Sequence, residues 1–137
     1  MALSPSVRAM IESDALAHLV TLGPDSAPQV TCIWIGLDGD EIVSGHLYEH
    51  RKVRNIRRDP RVSLSFHAKE HTGEGLHPYV VIRGTARITE GGALAVMDML
   101  AEHYLGPGER YPMREVPPGV VTHVTVEEIS GMGPWRD

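Results

Sequence analysis

The sequence predicts a mainly β fold in which a six-stranded antiparallel sheet closes into a small barrel, with helices flanking its outside and ends. Three observations support this class. The strand-like segments follow one another as adjacent hairpins and do not alternate regularly with helices. The pair Asp38-Gly39 is a strong hairpin signal between two of them. Residues 61–67 alternate apolar and polar side chains, which is typical of a half-buried strand.

The predicted elements begin with a short helix, which Ser4 caps and Pro5 starts. Residues 23–26 carry a turn signal between the first two strands. Gly84 lies inside a later strand and indicates a β-bulge or a close approach of two backbones. The six predicted strands cover residues 16–22, 28–37, 41–45, 61–67, 79–89 and 120–129.

Two further helices and two loops are predicted. A short basic helix ends at Asp59-Pro60, because proline disfavours helical geometry in the residue before it. A longer helix covers 93–105, where apolar residues recur at spacings of three and four. The polar residues 68–77 predict a loop, and so does the segment 106–119 with its four prolines and three glycines.

Length and composition predict a single domain, residues 1–137, with a formal net charge of -5 at pH 7. The chain has no run of about 18 apolar residues, so no membrane span is predicted. The N-terminus lacks the basic and apolar regions of a secretory signal. Cys32 is the only cysteine and lies in an apolar strand-like run, which favours a place in the core. These features favour a cytoplasmic protein.

Residues 49–61 form a strongly basic segment, with six of the thirteen lysines and arginines of the chain. Val53 and Ile56 are three residues apart, as on the buried side of a short helix. The helix start and Arg51-Lys52 are then available to a phosphate, because helix N-termini and cationic side chains both favour anions. A solvated surface helix is the plain alternative. A nucleic-acid site is disfavoured, since the rest of the chain is acidic.

Other patterns of catalysis or metal binding are weak. The sequence lacks the Gly-x-Ser-x-Gly, Walker and dinucleotide glycine motifs. Two groupings of histidines match no zinc pattern with further ligands, so no metal site is predicted. These groupings are His46 with His50, and His67 with His71 and His77. Trp135 is open to two interpretations, packing against a neighbouring surface or contact with a cofactor ring.

An ordered set of motifs gives the chain a family resemblance. It has a Pro-Gln-Val-Thr-x-x-Trp strand, an Asp-Gly hairpin, the block His-Arg-Lys-x-x-Asn-Ile-x-x-Asp-Pro-Arg-Val-Ser-Leu and a Val-x-Ile-x-Gly-x-Ala-x-Ile strand. Over roughly residues 5–130 it resembles the split β-barrel flavin-binding superfamily that includes pyridoxamine phosphate oxidases. More closely, it is similar to the actinobacterial flavin/deazaflavin-dependent oxidoreductases that use coenzyme F420. The resemblance implies a six-stranded antiparallel split β-barrel of the FMN-binding kind.

The resemblance also implies a homodimer with its cofactor in a groove between the subunits. Arg51 and Lys52 would bind the cofactor phosphate, and Trp135 would be a lid across the dimer. Residues implied beside the rest of the cofactor are Ser44, Gly45 and His46 along the ribityl chain and phosphate, and Gln29, Thr31, Ile33 and Trp34 beside the ring.

The implied function is an F420-dependent reductase that transfers a hydride from the reduced deazaflavin to a small conjugated substrate. His46 and Tyr48 are candidate proton donors by position. Further cations, Arg54, Arg58 and Arg61, could meet the polyglutamate tail of F420. The alternatives are an oxidase or reductase that uses FMN, a non-catalytic protein that binds F420 or a flavin, and haem handling. A basic residue that the phosphate oxidases usually carry near Trp34 is absent, which disfavours FMN.

Overall fold

The computed structural model describes residues 1–69 and 77–135. Within these ranges the chain forms three helices and seven strands. In chain order they are α1 (Pro5–Ile11), β1 (Ala17–Leu22), β2 (Pro28–Ile33), β3 (Gly36–Asp38), β4 (Glu41–His46), α2 (Arg51–Arg58), β5 (Arg61–His67), β6 (Tyr79–Glu90), α3 (Ala93–Tyr104) and β7 (Val120–Met132). The predicted class, mainly β with flanking helices, is confirmed.

The strands form one antiparallel sheet in the order β2-β1-β5-β6-β7-β4-β3. Among the described residues no strand pairing joins β2 to β3, so the sheet is open where the sequence predicts closure. The sheet has seven strands where six were predicted, because the predicted strand 28–37 is divided into β2 and β3.

The division occurs at Trp34-Ile35, where side chains replace the bonds of the sheet. Trp34 O accepts a hydrogen bond of 2.9 Å from the hydroxyl of Ser44. Ile35 N donates to the hydroxyl of Tyr104 at 3.1 Å. The chain therefore leaves β2 at one edge of the sheet and enters β3 at the other edge, and these two backbone groups keep hydrogen-bond partners.

The core lies on one face of the sheet and includes the fully buried Phe66, Leu64 and Ile82. Helix α1 adds Val7 and Ile11 to it. Ser4 caps α1 and Pro5 begins it, as predicted.

Gly84 marks a register shift between β6 and β7, which confirms the predicted irregularity. A Cβ atom at this position would lie 2.1 Å from Thr125 O, so the close approach of the two strands requires glycine. Strand β7 extends to Met132, beyond the predicted end at residue 129, because it remains paired with β6 up to Tyr79.

The prediction that Cys32 lies in the core is wrong. Its side chain is exposed, because β2 is an edge strand with one covered and one open face. Val30 and Cys32 lie on the open face, whereas Gln29, Thr31 and Ile33 alternate with them on the covered face.

Residues 106–119 contain neither helix nor strand, as predicted. Most of the predicted loop 68–77, including His71, lies outside the described residues. In the described part of the chain no helix has the length and apolar character needed to cross a membrane.

Candidate functional site

A groove of about 300 Å³ lies where the two edges of the open sheet approach each other. Its lining comes from the end of β2, the end of β4, the connection after β4, the first turn of α2 and one side of α3. The hydrogen bond from Ser44 to Trp34 O spans the gap between β4 and β2. The groove therefore occupies the split in the sheet.

The aromatic part of the groove is built around Trp34. Its ring stacks on Tyr104 with centroids 5.1 Å apart and an interplanar angle of 1°. Tyr111 meets the same ring edge-on at 6.2 Å. The hydroxyl of Tyr104 donates to Ala15 O at 2.8 Å, which fixes the stacked ring in turn. Trp34 thus has a preset orientation.

Asp98 on α3 ties the loop 106–119 to this aromatic wall. Its carboxylate accepts hydrogen bonds from Arg114 at 2.7 and 3.1 Å and from Tyr111 N at 2.9 Å. The bond from Arg114 lowers the pKa of Asp98 to about 2. The carboxylate is therefore ionised at neutral pH, and it holds Tyr111 beside Trp34.

The cationic part of the groove is Lys52 in the first turn of α2. The side chain is half-buried, and among the described residues it has neither an ion pair nor a hydrogen bond. Burial lowers the pKa of Lys52, and the nearby Cys32 thiol opposes that effect. A partly desolvated cation without a partner is a favourable position for an anion.

The start of α2 adds backbone donors to this cation. His50 is the N-cap and its side chain makes no capping hydrogen bond. The amides of Val53 and Arg54 bind His50 O, at 3.0 and 3.1 Å. The two amides before them belong to the first turn, whose N–H groups have no partner inside a helix.

The β4 wall of the groove consists of Ser44, Gly45 and His46. His46 is 4% exposed, and its Nε2 lies 3.1 Å from the hydroxyl of Thr122. Burial lowers the pKa of His46 to about 3, with smaller contributions from Lys52 and His50. The imidazole is therefore neutral at physiological pH, which argues against the prediction that it donates a proton.

Position 45 requires glycine because of packing against α3. A Cβ atom there would lie 2.8 Å from Ala93 O and 2.9 Å from Met97 Cγ. The glycine thus allows α3 to approach β4 and to form the side of the groove.

The structure brings together six of the ten predicted site residues. These six line the groove: Ile33, Trp34, Ser44, Gly45, His46 and Lys52. The other four do not line it within this chain: Gln29, Thr31, Arg51 and Trp135. Their roles toward a cofactor stay predictions.

Gln29 is bound to a buried polar network. Asn55 Nδ2 donates to Gln29 Oε1 at 3.1 Å and to Thr21 Oγ1 at 3.0 Å. Arg58 completes the network by donating to Asn55 Oδ1 at 2.9 Å. Thr31, further along the same face of β2, has a buried hydroxyl without a partner among the described residues.

Arg51 is exposed, and neither Arg51 nor Trp135 is among the residues that line the groove. The indole of Trp135 donates to Tyr79 O at 2.8 Å, and its backbone oxygen accepts a bond of 2.9 Å from Ser4. Trp135 packs partly buried against the core. Within one chain this is the packing interpretation, and a role across a dimer stays a prediction.

The three arginines predicted to bind the polyglutamate tail of F420 already have partners within the chain. Arg54 binds Glu49 O at 2.8 Å and Arg61 pairs with Asp59 at 2.7 Å. Arg58 binds Leu22 O and Asn55. These three cations therefore differ from Lys52, which has no such partner among the described residues.

In the part of the chain that the structure describes, no three His, Cys, Asp or Glu side chains form a group that could hold a metal ion. His46 and His50 both line the groove. The rings of His67 and His77 lie 5.6 Å apart, and the third member of that predicted grouping, His71, is outside the described residues.

Two residues that shape the site, Asn55 and Tyr104, are not among the residues predicted from the sequence. Asn55 is 2% exposed and fixes α2 to β1 and β2. Its signal was a polar residue between Val53 and Ile56 on the apolar side of the basic helix. Tyr104 lies within the predicted helix 93–105, but its bonds to Ala15 and Ile35 have no local signature in the sequence.

Comparison with solved structures places this fold among known proteins. An F420 reductase is similar at a TM-score of 0.75 with 27% identity, over 90% of this chain and 94% of that one. A conserved hypothetical protein from Mycobacterium tuberculosis is similar at 0.74 and 22%, over 95% and 84%. The haem storage protein HutZ from Vibrio cholerae is similar at 0.67 and 16%, over 97% and 96%. No curated protein matched the sequence.

The family follows from the sequence itself. Residues 3–133, nearly the whole chain, match the model of the family described as pyridoxamine 5'-phosphate oxidase. The open sheet with flanking helices is the split barrel of that family and of the flavin- and deazaflavin-type oxidoreductases similar to it. The chain is therefore a member of the pyridoxamine 5'-phosphate oxidase family.

Proposed function

We propose that this protein is an oxidoreductase that uses coenzyme F420 and transfers a hydride from the reduced deazaflavin to a small conjugated substrate. The observation that carries the proposal is Lys52, a half-buried cation that is unpaired within the described part of the chain and lies in a groove with the preset ring of Trp34. The similarity to an F420 reductase, at 27% identity over most of both chains, supports this choice of cofactor.

The residues present fit such a cofactor in three parts. Lys52 and the amides at the start of α2 suit its phosphate. Trp34, Met97 and Leu100 offer flat and apolar surface to its ring. Ser44 to His46 lie between these two ends. Ser44 donates a hydrogen bond to Trp34 O, and the charge of Lys52 contributes to the lowered pKa of His46.

The chemistry itself would come from the deazaflavin, which supplies the hydride when it is bound. The protein's part is to orient and to exclude water. The stack of Trp34 on Tyr104, and the hydrogen bond that Tyr111 N donates to Asp98, preset the aromatic wall before any ligand arrives.

A proton must accompany the hydride, and Tyr48 is the candidate donor that the groove leaves. Its side chain is 53% exposed and lines the groove. His46 is disfavoured because its lowered pKa leaves it without a second proton near neutral pH.

The proposal includes a homodimer in which the second subunit supplies the other wall of the site. A groove of about 300 Å³ is at the small end of ligand sites. The open face of β2 exposes Val30 to 59% beside Cys32, and both would be covered by a partner. Trp135 could then act across the interface.

The second candidate is a reductase or oxidase that uses FMN, and the family description favours it. FMN has the same ring-to-phosphate arrangement, so the groove by itself fits both. A protein that binds either cofactor without catalysis is the third candidate, since an acid–base pair is not evident in the groove among the described residues.

A side-by-side titration of purified protein with F420 and with FMN tests the proposal. We expect binding of F420 in the micromolar range or tighter, and reoxidation of reduced F420 by conjugated substrates over many turnovers. Tight binding of FMN without binding of F420 would favour the second candidate. Binding of F420 without turnover on any conjugated substrate would favour the third.

A further inference from the structure

Residues 106–119, which we call the strap, connect α3 to β7 without helix or strand. Four of these residues are prolines, which lack a backbone N–H and restrict their own φ angle. Apart from Gly106, Tyr111, Val116 and Gly119, the residues of the strap are exposed. The strap is therefore a stiff surface segment with few backbone donors, and its position depends on a small number of contacts.

One carboxylate, that of Asp98 on α3, holds the middle of the strap. It accepts hydrogen bonds from Arg114 at 2.7 and 3.1 Å, from Tyr111 N at 2.9 Å and from Arg110 at 3.4 Å. Among the described residues, every hydrogen bond and ion pair from residues 107–117 to a residue outside the strap ends on this carboxylate. Loss of the carboxylate would therefore release the whole middle of the strap.

The two ends of the strap are attached independently of Asp98. Just before its start, Leu105 N donates to Ala101 O and continues the bonding of α3. At its end, Gly119 O accepts a hydrogen bond of 2.7 Å from Gly91 N, and Pro118 O accepts one of 3.1 Å from Ala93 N. The middle of the strap can therefore leave α3 while both ends stay in place.

The strap contacts the groove through the ring of Trp34. Tyr111 meets this ring edge-on at 6.2 Å, and Tyr104 stacks on it at 5.1 Å. The indole N–H of Trp34 has no hydrogen-bond partner among the described residues, so ring contacts orient the side chain. Tyr104 is fixed by Ala15 O and Ile35 N without the strap. The strap therefore controls one of the two aromatic neighbours of Trp34.

We propose that the strap has a latched state, held by Asp98, and an unlatched state, and that the latched state orients Trp34 for the planar ring of a ligand. Asp98 does not line the groove, so it is a positioning residue that acts through Tyr111. Its ion pair with Arg114 is partly exposed, with Asp98 at 21% and Arg114 at 43%, so salt weakens it. Only the identity of the ligand rests on the proposed function.

Fluorescence of Trp34 tests the latch without any ligand. The chain has two tryptophans, so Trp135→Phe leaves Trp34 as the only one. In that background Asp98→Ala should increase the quenching of Trp34 by acrylamide. Added salt should increase the quenching when Asp98 is present and should have little effect in Asp98→Ala. Asp98→Asn should lie between them, because it keeps an acceptor for Tyr111 N and loses the charge.

Glu102→Ala is the matched control, since Glu102 is exposed on the same helix and has no partner among the described residues. It should leave the quenching of Trp34 and its salt dependence unchanged. Equal quenching in Asp98→Ala and Glu102→Ala at every salt concentration would overturn the proposal.

Hydrogen exchange followed by mass spectrometry keeps the test decisive if Trp135→Phe does not fold. In a chain with both tryptophans, Asp98→Ala should accelerate exchange within 106–117 and leave α3 unchanged. Arg114→Met should reproduce the effect in part, and it carries the same comparison if Asp98→Ala does not fold. Equal acceleration in the strap and in α3 would mean that Asp98 only stabilises the fold, and the proposal would be overturned.

Cofactor titration tests the consequence for the site. Asp98→Ala should weaken binding of F420 or FMN about three- to tenfold, because the ring of Trp34 must then be immobilised on binding. Asp98→Asn should recover part of the affinity. Unchanged affinity in a protein whose strap is released would overturn the positioning role. If the unmodified protein binds neither cofactor, the proposed function fails, and the fluorescence and exchange measurements still decide whether Asp98 is a latch.

Discussion

The charged and titratable side chains on the two sides of α2 differ in burial and in pairing. On the groove side, made of His46 and Lys52, burial lowers the pKa of both groups, and neither has an acidic partner among the described residues. On the outer side, made of Arg57 and Arg61, ion pairs with Glu49 and Asp59 raise the pKa of the guanidinium groups. Lys52 on the groove side is therefore a cation without a paired anion among the described residues, whereas the arginines on the outer side are already paired.

The difference teaches where a binding site lies in a basic segment. Counting cations along residues 49–61 indicates an anion site but does not locate it. Burial without a partner does locate it, because the cost of desolvating Lys52 is recovered only when an anion arrives. An exposed and paired arginine has little to gain from a ligand.

The largest expected effect concerns His46 and acid stability. Its folded pKa of about 3 lies below the ordinary 6.5, so the stability it contributes is complete above pH 6.5 and is lost as the pH falls toward 3. Between pH 7 and pH 4 this amounts to roughly 3 kcal/mol in the free energy of unfolding. We expect His46→Gln to remove that part of the pH dependence in denaturant titrations.

The exposed His18 supplies the control for this prediction. His18→Gln should leave the acid dependence as it is in the unmodified protein. A direct resonance titration of the His46 ring serves if His46→Gln does not fold. Titration of that ring near pH 6.5 would remove the contrast between the groove side and the outer side.

The next effect concerns Asn55, which joins the two sides. It is 2% exposed and donates to Thr21 and Gln29 while it accepts from Arg58. Asn55→Ala leaves the buried hydroxyl of Thr21 without its donor, and we expect a loss of about 2 kcal/mol in the free energy of unfolding. Urea titration measures it, with the exposed Arg54→Ala on the same helix as the control. Equal losses in the two variants would contradict the structural role given to Asn55.

These residues also show how far the sequence could predict the structure. The basic helix, the strand 61–67 and the bulge at Gly84 follow from local patterns, and the structure has them. The division of β2 from β3 does not, because it depends on Tyr104, which is 69 residues from Ile35 in the chain. The exposure of Cys32 follows from the edge position of β2, which no local pattern determines.

The site was predictable to a similar degree. Ser44, His46 and Lys52 were predicted as cofactor residues and lie in one groove, while their roles toward a cofactor stay predictions. Gln29 was placed beside a cofactor ring, but within this chain it binds Asn55, which is 26 residues away. The choice between these two partners for an amide depends on side-chain geometry, and the motif records only the order of residues.

The third prediction concerns the contribution of Lys52 to cofactor affinity. Lys52→Met keeps much of the side-chain volume and removes the charge, so binding of F420 or FMN should weaken about ten- to thirtyfold. Arg61→Met, from the outer side, is the matched control and should leave affinity unchanged. Isothermal titration of both variants at two salt concentrations measures the difference. Equal losses would mean that the segment acts through its total charge, and the distinction between the two sides would fail.

The smallest expected effect belongs to the ion pair of Glu49 with Arg57 on the outer side. Its two bonds, of 2.9 and 3.0 Å, lie in solvent, where water and salt compete with them. Arg57 also pairs with Glu90 at 2.8 Å, so Glu49→Gln leaves it a second carboxylate. We expect no measurable change in cofactor affinity and a thermal midpoint within error of the unmodified protein. A clear drop in affinity would mean that the outer side positions the first turn of α2, and Lys52 would then depend on it.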